Sequence, residues 1–220
     1  MHYDKIIMHN FYITEEKIRM KNTFAAFYFG PIDYYAEMVK SQNLNIEVCE
    51  NFQKQTYRNR CNILGANGKL MLNIPTLHNG KKTFADLQPS YEHHWQKEHF
   101  RSIKSAYHGS PYFEYYEHEL APFYEKKEKY LLDFNLKTIN FINQKLRLDL
   151  EISTTETYEI IDAEHDFRNQ FSAKKPAQYN LPEYIQVFDD KFGFTSDLSI
   201  IDLLFSEGPS AAIYLKNLIK

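Results

Sequence analysis

The chain has 220 residues, 43% of them hydrophobic and 16% aromatic, with a formal net charge of −3. That composition supports a sizeable apolar core and excludes a disordered chain, and the mild negative charge gives no electrostatic reason to expect a nucleic-acid partner. Two cysteines, Cys49 and Cys61, need no disulfide and fit a reducing cytoplasm.

Residues 1–20 carry Asp4, Glu15 and Glu16 and no continuous apolar stretch. They read as an N-terminal extension rather than a signal peptide, with Met20 an alternative start. Residues 21–220 read as a single domain, and no apolar run reaches membrane-spanning length.

The apolar run FAAFYF, 24–29, has strand length and is followed by Gly30-Pro31. Proline at a first helical position opens a helix, and Ile32, Tyr35, Ala36 and Val39 share one helical face. NIEVC, 45–49, is the next strand candidate. Strand, helix and strand joined by short links make a βαβ unit with parallel strands and a right-handed crossover.

ENFQKQTYRNRC, 50–61, follows. From Asn51 to Ala85 there is no acidic residue, whereas Lys54, Arg58, Arg60, Lys69, Lys81 and Lys82 are all present. A solvated cationic face is one reading. The other is an anion site, because a βαβ unit places this stretch at the carboxyl edge of its sheet together with the helix start at Pro31. On that reading Lys54, Arg58 and Arg60 share one pocket near Pro31, and Arg58→Ala weakens ligand binding with little change in stability. The structural alternative has the arginines bracing the fold against Glu50 or the acidic 114–133 segment.

Asn67-Gly68 is a hairpin signal, with Ala66 expected opposite Lys69. In that register Cys61, Ile63, Leu70, Leu72 and Ile74 share an apolar face. Cys61 is therefore expected to be a buried structural thiol rather than a nucleophile.

YEHHWQKEHFRSIKSAY, 91–107, reads as a helix with Trp95, His99 and Ile103 on the core face. His99 is either a hydrogen-bonded core histidine or a general base. His94 and Glu98 stand four apart but lack the H-E-x-x-H arrangement, so no metal site is expected. A further helix is expected after Pro122 through Lys145. Tyr112, Tyr115 and Tyr116 are either packing or a stacking surface. A weakly patterned connection is expected over about 152–180, a strand over 183–188, and a closing helix ended by Gly208. Ser199 and Asp202 have capping-box spacing there, which explains Asp202 more simply than a catalytic acid does. The fold class is α/β: a parallel βαβ unit continued by a β-hairpin, then a largely helical C-terminal half packed on the sheet.

YFGPIDYYAEMVKS, ENFQKQTYRNRCNILGANGKLMLNIP, HHWQKEHFRSIKSAYHGSPYFEYY and YIQVFDDKFGFTSDLSIIDLLFSEG together resemble the WbqC-like family of bacteria, over roughly Phe24 to Gly208. The K-x-x-x-R-N-R entry to an apolar strand is the most specific part. The resemblance implies a cytoplasmic bacterial protein of the kind found in surface-polysaccharide gene clusters, with a transferase role. The family pattern falls on Pro31, Tyr34, Gln53, Lys54, Arg58, Asn59, Arg60, Trp95, His99, Tyr184 and Gln186. The 152–180 region is plainer than in larger members.

Two functions follow. In a transferase using a nucleotide-sugar or acyl-type donor, Gln53, Lys54, Arg58, Asn59, Arg60, Tyr34 and Gln186 bind substrate and His99 is the base. In a non-catalytic binding module for an anionic glycan or nucleotide, the same cations serve without a base. The environment of His99 discriminates between them. The expected partner is a small anionic molecule, and no pattern specifies a cofactor or an oligomeric state.

Overall fold

The computed structural model describes residues 21–77, 80 and 83–220. The N-terminal extension, Met20, Lys81 and Lys82 lie outside the described residues. The expected class holds: a parallel sheet, an antiparallel hairpin, and helices that dominate the C-terminal half.

The sheet begins with β1 (Asn22–Ala25), passes through helix α1 (Ile32–Ser41) and returns as β2 (Asn43–Glu47), parallel to β1 with Phe24 beside Ile46. Both strands sit two residues earlier than their apolar runs suggest. The second half of FAAFYF is buried but leaves the sheet, because its backbone has other partners. Tyr28 N–H donates to the Tyr57 carbonyl at 2.9 Å, and the Ala26 carbonyl accepts from Asn135 Nδ2 at 2.9 Å. Pro31 is the residue before α1 rather than its first member.

The third strand, β5 (Glu151–Thr154), pairs parallel with β2 and lies in the stretch expected to be irregular. Its alternation of polar and small residues gives no apolar run to read. Beyond it the connection is structured through bonding to the sheet. On the other edge, Thr23 N–H donates to the His165 carbonyl and Phe167 N–H to the Thr23 carbonyl, so residues 165–167 flank β1.

The hairpin is β3 (Arg60–Gly65) and β4 (Gly68–Asn73). Gly65 pairs with Gly68 and Leu64 with Lys69, so the two loop residues are Ala66-Asn67, one position earlier than expected. Gly68, at φ +100°, takes a conformation glycine tolerates best. The pairing shifts by two residues, so the faces keep their identities. Cys61 and Ile63 point inward, and Cys61 is 1% exposed.

Helix α2 (Trp95–Tyr107) buries Trp95, His99, Ile103, Ala106 and Tyr107, the face its spacing marks out. Two helices then stand where one was expected after Pro122: α3 (Phe113–Glu125), with Pro122 in its last turn, and α4 (Leu131–Leu146). The Pro122 carbonyl still accepts from Lys126 N–H at 3.2 Å, and the chain is extended at Tyr130 before α4 begins. Residues 183–188 form no strand. Gln186 instead clamps Thr195 through both ends of its amide, around a short helix α5 (Asp189–Phe192).

Helix α6 (Ile200–Glu207) ends at Gly208 as expected, and α7 (Ala211–Leu218) follows. A Cβ on Gly208 would meet the Tyr112 ring at 2.5 Å, and its φ is +54°, so glycine is required twice over. The capping box is absent. Ser199 Oγ donates to the Phe29 carbonyl at 2.7 Å, and Asp202 turns inward.

One core runs from Phe24 to Leu215. Burial pushes the Cys61 thiol pKa up, against contacts to Tyr28 and Ser199. Native Cys61 should therefore resist iodoacetamide, and Cys61→Ser should lower stability by on the order of 1 kcal/mol without altering ligand binding. Labelling followed by mass spectrometry checks this, and rapid native alkylation would restore a reactive thiol.

Candidate functional site

The loop leaving β2 holds the cationic stretch and divides its basic residues between two environments. Arg58 is 1% exposed and forks onto Glu50: Nε to Oε1 and Nη2 to Oε2, both at 2.6 Å. Its Nη2 also reaches the Arg168 carbonyl at 3.1 Å. Arg168 in turn binds Glu47 at 3.0 Å and Asp166 at 2.7 Å. The result is a buried ladder of charge at the carboxyl end of the sheet. Burial pushes the Glu50 carboxyl pKa up while Arg58 pulls it down. The bidentate geometry is what makes an ion pair tolerable there. Arg58 thus follows the bracing alternative, and the expectation that its removal leaves stability unchanged is corrected.

Lys54 and Arg60 face a cleft of about 910 Å³, within the range of ligand-sized pockets. One wall is the tight turn 51–55, where Gln55 has φ +62° and Thr56 Oγ1 donates to the Gln53 carbonyl. The other is the chain leaving β4, where Ser90 N–H donates to the Pro75 carbonyl and Leu77 N–H to the Gln88 carbonyl. Arg60 Nε is held by Asn73 Oδ1 at 3.2 Å, and neither Nη group has a partner among the described residues. Lys54 makes no ion pair with a described residue. Among the described lining residues there is no carboxylate, and Phe52, Pro75, Leu77 and Leu87 supply an apolar shelf.

Asn59 forms part of the wall and is 8% exposed. Its Nδ2 donates to Asn73 Oδ1 at 3.1 Å and to the Ile74 carbonyl at 3.0 Å. A carbonyl only accepts, so the amide orientation is fixed, and the buried Oδ1 has no donor among the described residues.

The remaining expected site residues are elsewhere. Gln53 is exposed on the turn but does not line the cleft. Tyr34 is fully buried against Phe24 and Phe27, its hydroxyl donating to the Ala25 carbonyl at 3.0 Å. Gln186 belongs to a buried carboxylate cluster: Asp202 accepts from Tyr107 at 2.9 Å, from Tyr184 at 2.5 Å and from Gln186 at 2.9 Å. Burial, the dominant cause, pushes the Asp202 pKa up against these donors. The cluster pins α6 to α2 and to the 184–195 loop, and sequence spacing gave no signal for it.

The helix start at Pro31 is not part of the cleft. The chain fills it: Ile32 N–H donates to the Leu198 carbonyl at 3.0 Å and Asp33 N–H to Asp197 Oδ1 at 3.3 Å. The expected convergence of Lys54, Arg58, Arg60 and Pro31 is corrected to Lys54 and Arg60 with the amides of Asn59 and Asn73.

His99 lies behind that wall. It is 5% exposed, edge-on to Trp95, and Tyr28 Oη is 3.0 Å from Nδ1. Burial lowers its pKa to about 4, opposed by a hydrogen bond to the Asn73 backbone. With the neutral ring donating to Asn73, Nδ1 is the acceptor for the Tyr28 hydroxyl, so both nitrogens are occupied.

Fold and site together define a mixed α/β protein with an acid-poor cationic cleft beside a two-stranded ribbon. The sequence matches the model of the WbqC-like protein family over residues 26–175, and the chain belongs to that family. Tyr184, Gln186 and Asp202 fall outside the matched region. Neither a curated protein nor a solved structure matches the chain. Among the described residues no helix is long and apolar enough to cross a membrane.

Two outcomes follow. Arg58→Ala leaves Glu50 buried and uncompensated and should cost about 3–5 kcal/mol, read by urea denaturation; a loss below about 1 kcal/mol would mean the pair behaves as a surface one. For His99 the folded pKa lies below the unfolded value, so its contribution is present at neutral pH and is lost as pH falls from 6.5 towards about 4. That contribution is roughly 3 kcal/mol by linkage. His99→Gln should flatten the stability curve across that window, and an unchanged slope would show that His99 is not the titrating group.

Proposed function

We propose that the protein binds a small anionic molecule in the cleft between the 51–55 turn and the chain leaving β4. The observation that carries this is the outer end of Arg60: Asn73 fixes Nε, while both Nη groups and the Lys54 ammonium have no partner among the described residues, in a cleft whose described lining has no carboxylate. A guanidinium held this way presents a fork that suits phosphate or carboxylate. Phe52 and the neighbouring apolar residues offer a shelf for the rest of the ligand, and about 910 Å³ exceeds what an inorganic ion needs. The ligand is a phosphorylated or carboxylated metabolite such as a nucleotide, nucleotide-sugar or anionic glycan.

The placement of His99 favours binding over His99-dependent transfer, because a buried neutral imidazole with both nitrogens engaged has no lone pair to offer. Transfer from an activated donor, in surface-polysaccharide synthesis, is the second reading. It is favoured by the contact of His99 with Asn73, which lines the cleft and places the ring one residue behind the ligand.

Calorimetric titration with nucleotides, nucleotide-sugars and acyl phosphates tests the site. Arg60→Ala should weaken the best ligand by about 1.5–3 kcal/mol with little change in thermal midpoint. Equal affinity in wild type and variant would place the ligand elsewhere. Loss of turnover in His99→Gln with binding intact would promote the second reading.

A further inference from the structure

We propose that the outer edge of β4 and the groove beside it form a docking site for an extended acidic peptide, which adds a strand to the hairpin. With Gly65 opposite Gly68 across a two-residue loop, bonded pairs alternate along the ribbon. The N–H and C=O groups of Lys69 and Met71 therefore point away from β3. No other described residue bonds to them. On β3 the corresponding outward carbonyl, that of Asn62, accepts from Ser199 N–H at 2.8 Å, so that edge is closed. The hairpin is closed on one side and open on the other.

The open edge runs beside a groove of about 340 Å³ between the hairpin tip and α2. Leu70 and Ala106 give it apolar walls, Ser102 and Ser105 give it hydroxyls, and Arg101 and Lys69 give it charge. Leu70 is 40% and Met71 50% exposed on neighbouring positions of one strand, so apolar surface is available on both faces of an added strand. Both cations line the groove, Arg101 from α2 and Lys69 from β4, and neither forms a salt bridge with a described residue, although the Lys69 charge also acts on Asp197. An open edge supplies main-chain affinity and the flanking surface supplies specificity, as in strand addition generally. The two cations beside the groove select a peptide that combines carboxylates with small apolar residues. A lone lysine on an edge is also a common guard against self-pairing, so a second copy of the chain is the occupant to test against.

The test uses the full chain and a fluorescein-labelled peptide of alternating valine and glutamate, followed by anisotropy. The expected result is saturable binding, weakened at least about tenfold when lysine replaces glutamate. Two further peptides carry N-methyl groups on alternate residues, one in each phase; one of them should lose binding by a similar factor, since only one phase faces the edge. Met71→Pro removes an edge donor that has no partner among the described residues, and should weaken the peptide without lowering the thermal midpoint. The proposal is overturned by no binding of the acidic peptide up to about 1 mM, or by equal binding of both N-methylated peptides and the parent. A dimer by light scattering that Met71→Pro dissociates would also overturn it. The N-methyl comparison stands even where Met71→Pro does not fold.

Discussion

The pairing of Arg58 with Glu50 constrains the rest of the molecule. Both groups are almost fully buried, and each would be costly there alone. The contact closes an eight-residue excursion between the end of β2 and the start of β3, so the long side chains between them project from a fixed base. Arg168 extends the network to Asp166 and to Glu47 of β2, while backbone bonds between Thr23 and residues 165 and 167 tie the same wrapping segment to β1. Five charges meet here, three carboxylates and two guanidiniums. The extra negative charge is tolerated because Glu47 also accepts from Cys49 N–H at 2.7 Å and Thr155 Oγ1 at 2.8 Å.

The consequence for the cleft is positional. Glu50 immediately precedes Asn51, and Arg58 immediately precedes Asn59 and Arg60, so the ion pair holds both ends of one wall without facing the cleft. Phe84 N–H, donating to the Glu50 carbonyl at 2.8 Å, ties the 83–90 segment to the same point. A cleft-facing Arg60 and a core-facing Arg58 two residues apart are what an outgoing strand with alternating faces does not predict. The backbone between them is still in the turn, where Tyr57, Arg58 and Asn59 are all buried.

Periodicity carried most of the fold. The parallel βαβ unit, the hairpin faces and the buried stripe of α2 were legible because apolar spacing reports burial directly. Partners of polar groups were not legible. Glu50 and Arg58 are close in sequence, but nothing in their spacing says that the arginine turns inward. β5 was missed because Glu-Ile-Ser-Thr has only one large apolar residue, and its strand character comes from pairing with β2. Tyr184, Gln186 and Asp202 were visible as residues, but their convergence depends on a loop fold with no local pattern.

The helix start at Pro31 shows how a sound rule selected the wrong occupant. Free N–H groups at a helix start do attract an anion, and here they have one: the carboxylate of Asp197, held at φ +52°. Burial and the nearby Asp33 charge raise the Asp197 pKa to about 6, so this internal anion is less favourable than an exposed one. The chain accepts that penalty because Asp33 in turn binds the N–H groups of Gln178 and Tyr179, at 2.9 and 3.1 Å, and so fastens the irregular 177–199 stretch to α1. An electrostatic feature that sequence alone assigns to a ligand is consumed in closing the fold. In the cleft, by contrast, Lys54 and Arg60 form no salt bridge with a described residue and the described lining has no carboxylate, which gives an external anion a physical reason to bind there.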